Sequence, residues 1–182
     1  MFKDYLLLIN DYLMTLGKGV WFDIITPLFI AVISFFLFKY DIIYLSKDFI
    51  GNVLSVLGIL AGFSITSVTI LTSSENDKIN ELKSYMTGKV VDGLEISRFR
   101  KIYIMISYSV LVTLFVIILN IVAYLFPWSK LGVNLNFLYT LKTLELFLLI
   151  HIFLLNIKNI TYLYFIFFND TNRKGSTQKP PL

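Results

Sequence analysis

The chain has 182 residues, of which 57% are hydrophobic and 15% charged, with a formal net charge of +4. Soluble domains carry about 25% charged residues, so water is not the main solvent here, and so modest a positive charge calls for no nucleic-acid partner. The absence of cysteine excludes disulfides, thiolate catalysis and Cys-based metal sites, and a single histidine, His151, excludes a multi-His metal centre within one chain.

Usage heavy in Ile, Phe, Tyr, Asn and Lys fits an AT-rich bacterial genome. Taken from the start, Met1 to Lys18 is too short and too interrupted to span a bilayer, which needs about 20 apolar residues. Asp4, Asp11, Thr15 and Lys18 share one helical face, and Phe2, Leu6, Ile9, Leu13 and Leu16 supply apolar surface. The pattern predicts an interfacial amphipathic helix. Asp4 and Asp11 sit where a signal peptide would be apolar. Gly17 and Gly19 predict a break.

A first span is expected over residues 20–38, with Trp21 at one interface and Lys39 and Tyr40 at the other. Pro27 is tolerated near its start, where backbone N–H groups are unpaired anyway. Asp23 reads as an anchor at the cytoplasmic edge or as a proton or cation site.

The second span, about residues 49–73, is the most informative stretch. At roughly 100° per residue, Gly51, Ser55, Gly58, Gly62, Thr66, Thr69 and Ser73 fall within an arc of about 80°. Small residues four apart, as in Gly58 and Gly62, let helix backbones approach closely where lipid supplies no hydrophobic drive. The expected use is packing against the third or fourth span, with a subunit seam or a pore-lining face as the alternatives.

The polar stretch 75–101 predicts a helical loop: a short helix with Ile79, Leu82 and Met86 as its apolar stripe, a break near Gly88, then a second polar segment. Arg98, Arg100 and Lys101 are candidate contacts for a cytoplasmic protein partner. A third span is expected over about 102–126, closed by Pro127 and Trp128, with Ser109, Thr113, Asn120 and Tyr124 on one face. The fourth apolar stretch runs from Phe137 to Phe168, longer than a bilayer requires, with its span at about 137–158. Lys142 and Glu145, three apart, can pair, and the cost of burying charge favours placing them at the outer interface. His151 lies mid-span, either as a pH-responsive group or as a neutral histidine hydrogen-bonded to a neighbouring helix. Residues 169–182 are polar and predict a disordered tail.

Lys and Arg concentrate in the loop 75–101 and near both termini. The positive-inside rule then places the termini and that loop in the cytoplasm and the span count at four. The expected fold is all-α: one four-helix transmembrane domain over 1–168, with an N-terminal amphipathic helix and a cytoplasmic helical loop, in a bacterial inner membrane. No Gly-x-Ser-x-Gly, paired-His, P-loop or dinucleotide pattern is present. The expectation is a non-enzymatic protein without cofactors, acting as an oligomeric membrane effector or channel-like subunit. Intramembrane polar candidates are Asn120, Glu145 and His151. The alternatives are an anchor for a soluble partner, a small transporter or a holin-like protein.

The four-span layout, the stretch LGILAGFSITSVTILTSS (residues 57–74) and the charged ENDKINELK after it resemble the four-helix membrane subunits of bacterial anti-phage defence systems, the Kiwa type among them. The resemblance implies an inner-membrane oligomer that senses or acts on the membrane during infection, beside a soluble partner. It carries over no catalytic residue.

Overall fold

The computed structural model describes residues 2–44, 46–74, 77–125 and 134–168. Helix α1 (Phe2–Leu16) ends in a tight turn, Gly17–Gly19, where Gly17 takes φ +50°. The break expected at the two glycines is there. Next come a single wide helical turn of π type, Trp21–Ile25, and α2 (Thr26–Lys39), with Pro27 in its first turn. Helix α3 (Lys47–Ser73) is capped by Ser46, whose Oγ accepts from the Phe49 N–H at 3.0 Å. Then follow α4 (Asp77–Ser84), strands β1 (Met86–Val91) and β2 (Leu94–Ser97), α5 (Arg98–Leu125) and α6 (Leu135–Phe168). The tail 169–182, and Pro127 and Trp128 after the third span, lie outside the described residues.

Four helices are long and apolar enough to cross a membrane: Trp21–Lys39, Asp48–Ser73, Arg98–Ala123 and Leu135–Phe165. They pack as a row. Helix α3 lies along α5, α5 against α6, and α6 along α2, so α3 and α2 form the two ends. Leu57, Val112, Val116, Leu149 and Ile152 fill the middle of the row, where α3, α5 and α6 meet. A second core gathers Tyr12, Val91, Ile96, Met105 and Leu155 from α1, the strands, α5 and α6. Ile79 of α4 closes a third with Leu71, Ile102 and Ile106.

Two expectations fail. The polar stretch is not a helical loop, and the chain is therefore mostly helical rather than all-α. After α4, β1 and β2 pair antiparallel around Asp92 and Gly93. Both turn residues have positive φ, 53° and 76°, as a two-residue type I′ hairpin requires. The expected break near Gly88 is an irregularity within β1, where Gly88 takes φ +66° and the register shifts between Met86 and Val90.

The polar face of α1 turns partly inward, with Asp4 left exposed. Thr15 is buried and Asp11 half-buried against the rest of the chain, and Leu6 and Leu13 are exposed. Helix α1 packs its Tyr12 side, Leu16 included, on α5 and the hairpin, and Leu6, Leu7 and Leu13 stay exposed.

Candidate functional site

The densest polar cluster lies at the hairpin end of the row, where α1, the wide turn, α5 and α6 converge. Its hub is Asp23. The π-type turn Trp21–Ile25 inserts an extra residue per turn, a distortion frequent at functional sites, and carries Asp23 inward until it is fully buried. Asp23 Oδ2 accepts from the Tyr12 hydroxyl at 3.0 Å and from Lys158 Nζ at 2.5 Å. Oδ1 is buried with no hydrogen-bond partner among the described residues.

The Asp23 backbone carbonyl faces His151 Nδ1 at 2.5 Å, and His151 Nε2 lies 3.1 Å from the Tyr108 hydroxyl. A carbonyl can only accept, so Nδ1 carries the proton and donates, and Nε2 accepts from Tyr108. Both ring nitrogens are thus satisfied in the neutral form. The Tyr12 and Tyr108 rings stack at 3.7 Å, and Phe147 lies parallel to the imidazole at 6.0 Å. Burial, then the charge of Asp23 and the bond donated to it, push the Tyr12 phenol far above its usual range. Tyr12 thus serves Asp23 as a neutral donor. The cluster is a charge-paired, aromatic-walled clamp on four elements.

Beside the clamp is a cavity of about 340 Å³ lined by Thr15, Gly19, Lys89, Lys101, Lys158 and Tyr162, with Leu16 and Met105 at its apolar side.

The stripe on α3 is elsewhere. Ser55, Gly58, Gly62, Thr66, Thr69 and Ser73 all lie exposed, and a Cβ added at Gly51, Gly58 or Gly62 would meet nothing within 4 Å. The expected packing against the third or fourth span does not occur among the described residues. Instead α3 turns Leu57, Ala61, Ser64, Ser67 and Leu71 inward, and Ser64 donates to Asn156 Oδ1 of α6 at 3.0 Å. Ala and Ser on that face already give the close approach to α5, which frees the glycine face. The polar face of α5 points the other way from the α3 stripe, into the protein. Ser109, Thr113 and Asn120 are buried, and Asn120 Nδ2 bonds the Val116 carbonyl at 3.0 Å. Among the described residues the two polar stripes do not meet.

Glu145 is half-buried with Oε1 unpartnered among the described residues, and Lys142 Nζ sits 5.8 Å from the centroid of the Phe38 ring. The three basic partner candidates diverge. Arg98 stacks on Tyr85 at 3.8 Å, the Arg100 N–H is capped by Ser97 Oγ, and Lys101 faces the cavity. His151 joins the cluster, but Asn120 and Glu145 do not.

Sequence reasoning flagged Asp23 and His151 and missed the partners of Asp23, Lys158 and Tyr12, and the partner of His151, Tyr108. A signal was there. Asp23 is the lone acid of the first span, and Lys158 interrupts the last apolar stretch near the same basic end. A buried acid must find a base.

Compared with protein-family models, curated proteins and solved structures, the chain matches none.

Proposed function

We propose that this chain is a non-enzymatic subunit of a membrane assembly, crossing the bilayer four times and joining copies of itself through the small-residue face of α3. In this reading both termini and the hairpin lie in the cytoplasm, because Lys and Arg cluster there, and the hairpin end offers a platform to a soluble partner.

The observation that carries the reading is the outward stripe at the end of the helix row. From Gly51 to Ser73 it runs about 33 Å at 1.5 Å per residue, matching a hydrocarbon core of about 30 Å. Its hydroxyls bond their own helix: Ser55 to the Gly51 carbonyl, Thr66 to Gly62, Thr69 to Ile65 and Ser73 to Thr69, at 3.2, 2.9, 3.0 and 2.7 Å. Such hydroxyls need no water, so the stripe suits a dry helix seam better than a pore wall. The likeness to Kiwa-type membrane subunits supplies the setting, an effector acting at the membrane during phage infection.

The chain has no cysteine, so single-cysteine variants report cleanly. Gly58→Cys and Gly62→Cys in native membranes should cross-link subunits under mild oxidation, and Leu57→Cys and Ala61→Cys on the inward face should not. Equal cross-linking on both faces, or none at Gly58 and Gly62, would overturn the seam. A plaque assay comparing wild type with Gly62→Leu, each expressed with neighbouring genes, tests the setting. Unchanged phage yield with and without the wild-type chain rejects it.

A further inference from the structure

The cavity beside the clamp collects three ammonium groups from three separate elements: Lys89 of β1, Lys101 at the start of α5 and Lys158 near the end of α6. The backbone makes room for them. Lys89 Nζ occupies the place a Cβ would take on Gly17, which holds φ +50°, and Lys158 Nζ comes within 3.2 Å of where a Cβ on Gly19 would stand. Acid does not balance the group. Asp23 pairs with Lys158, and among the described residues neither Lys89 nor Lys101 makes an ion pair.

Folding thus brings like charges into one cavity, an arrangement that a compact anion relieves. At roughly 30 Å³ per water, 340 Å³ is space for a polyatomic ligand. Lysines act as point charges suited to phosphate, and Tyr162 also lines the cavity. Leu16 and Met105 give the cavity an apolar side.

We propose that this cavity binds a phosphate group, carried either on an anionic phospholipid headgroup or on a soluble phosphate compound. Basic pockets among membrane helices on the cytoplasmic side take headgroups in this way. The site is separate from the α3 seam and does not depend on it.

Two arms distinguish the sources, both on the purified full chain. In the first, native mass spectrometry compares retention of phosphatidylglycerol with that of phosphatidylcholine. In the second, inorganic pyrophosphate is titrated calorimetrically. Each is repeated on Lys89→Gln, Lys101→Gln, the double variant and Lys39→Gln, a control beyond the clamp on α2. Selective lipid retention weakened about fivefold per cavity lysine removed, and unaffected by Lys39→Gln, assigns a headgroup. The same loss in the pyrophosphate arm alone assigns a soluble phosphate. Equal binding by wild type and the double variant, equal weakening by Lys39→Gln, or no binding of either probe overturns the site. Lys89 stands on the hairpin and not in the helix row, so its single variant reads the site even where Lys101→Gln fails to fold.

Discussion

At the scale of residues, Asp23 is the side chain that joins Tyr12 of α1 to Lys158 of α6. It is fully buried, and Lys158 retains 18% side-chain exposure, so the base can reach water and the acid cannot. Breaking a buried pair by removing one partner leaves an uncompensated charge, at about 3–5 kcal/mol. Lys158→Met, which strands the carboxylate, should be the more damaging single change. Asp23→Asn should cost near 3 kcal/mol by the same scale, because Lys158 can turn outward. The double variant should be more stable than Lys158→Met alone, by thermal unfolding in mild detergent. Additive losses would mean that the pair contributes nothing as a pair. Asp11 of α1 is the residue whose titration is tied to the fold. Burial first, then repulsion by Asp92, push its carboxyl above the ordinary 3.8, with Arg100 opposing. A raised folded pKa means the folded state holds the proton more tightly, so this contribution is full below 3.8 and is lost as pH rises through the folded value. Relative to Asp11→Asn, the wild type should lose thermal stability from about pH 4 upward. Parallel profiles for the two proteins would show that the carboxyl is not perturbed.

At the scale of elements, the hairpin is the piece that makes the hairpin end a structured platform. Val91 and Ile96 are buried under α1 and α5, and the Arg98 N–H donates to the Tyr85 carbonyl at 2.8 Å, tying the strand base to the start of α5. The turn depends on Gly93 at φ +76°, which a β-branched side chain adopts only at a cost of about 1–3 kcal/mol. Gly93→Val should open the hairpin and speed tryptic cleavage after Lys89 and Arg98, leaving the helical circular dichroism nearly unchanged. Equal cleavage rates would show the turn to be indifferent to strain. The hairpin was readable in advance: Asp-Gly between Val90-Val91 and Leu94-Glu95-Ile96 is the strongest short-range hairpin pattern. The apolar spacing of Ile79, Leu82 and Met86 within 75–101 also fits a helical stripe, and this masks the turn signal. The apolar helices were legible because length and hydrophobicity alone define them. Which way each helix faces was not. Helix α3 has two faces of small residues, Gly58 with Gly62 and Ala61 with Ser64, and only the positions of α5 and α6 decide which one is buried. The clamp was hidden for a similar reason: Tyr12 and Asp23 are joined to His151 and Lys158 by a fold that spans more than 120 residues of sequence separation.

At the scale of the whole molecule, the row leaves α3 with one side on α5 and its glycine face uncovered by any other described residue. This separates fold from assembly in a way that substitution can exploit. Gly is about 1 kcal/mol worse than Ala in a helix interior, and Leu is nearly as good as Ala. With no atom within 4 Å of a Cβ at Gly58 or Gly62, leucine there meets no steric obstacle within the subunit at its Cβ. The fold of Gly58→Leu/Gly62→Leu should therefore be as stable as the wild type or slightly more so, with an unchanged clamp. The seam should respond in the opposite direction, because two leucines hold apart backbones that glycines let touch. The expected result is a thermal midpoint equal to or above the wild type's, together with a shift from oligomer to monomer on native mass spectrometry. An oligomer that survives both leucines would move the interface to another face of the row. A subunit that unfolds would show that the stripe is covered within the chain, and that the outward face of α3 is not free to serve as a seam.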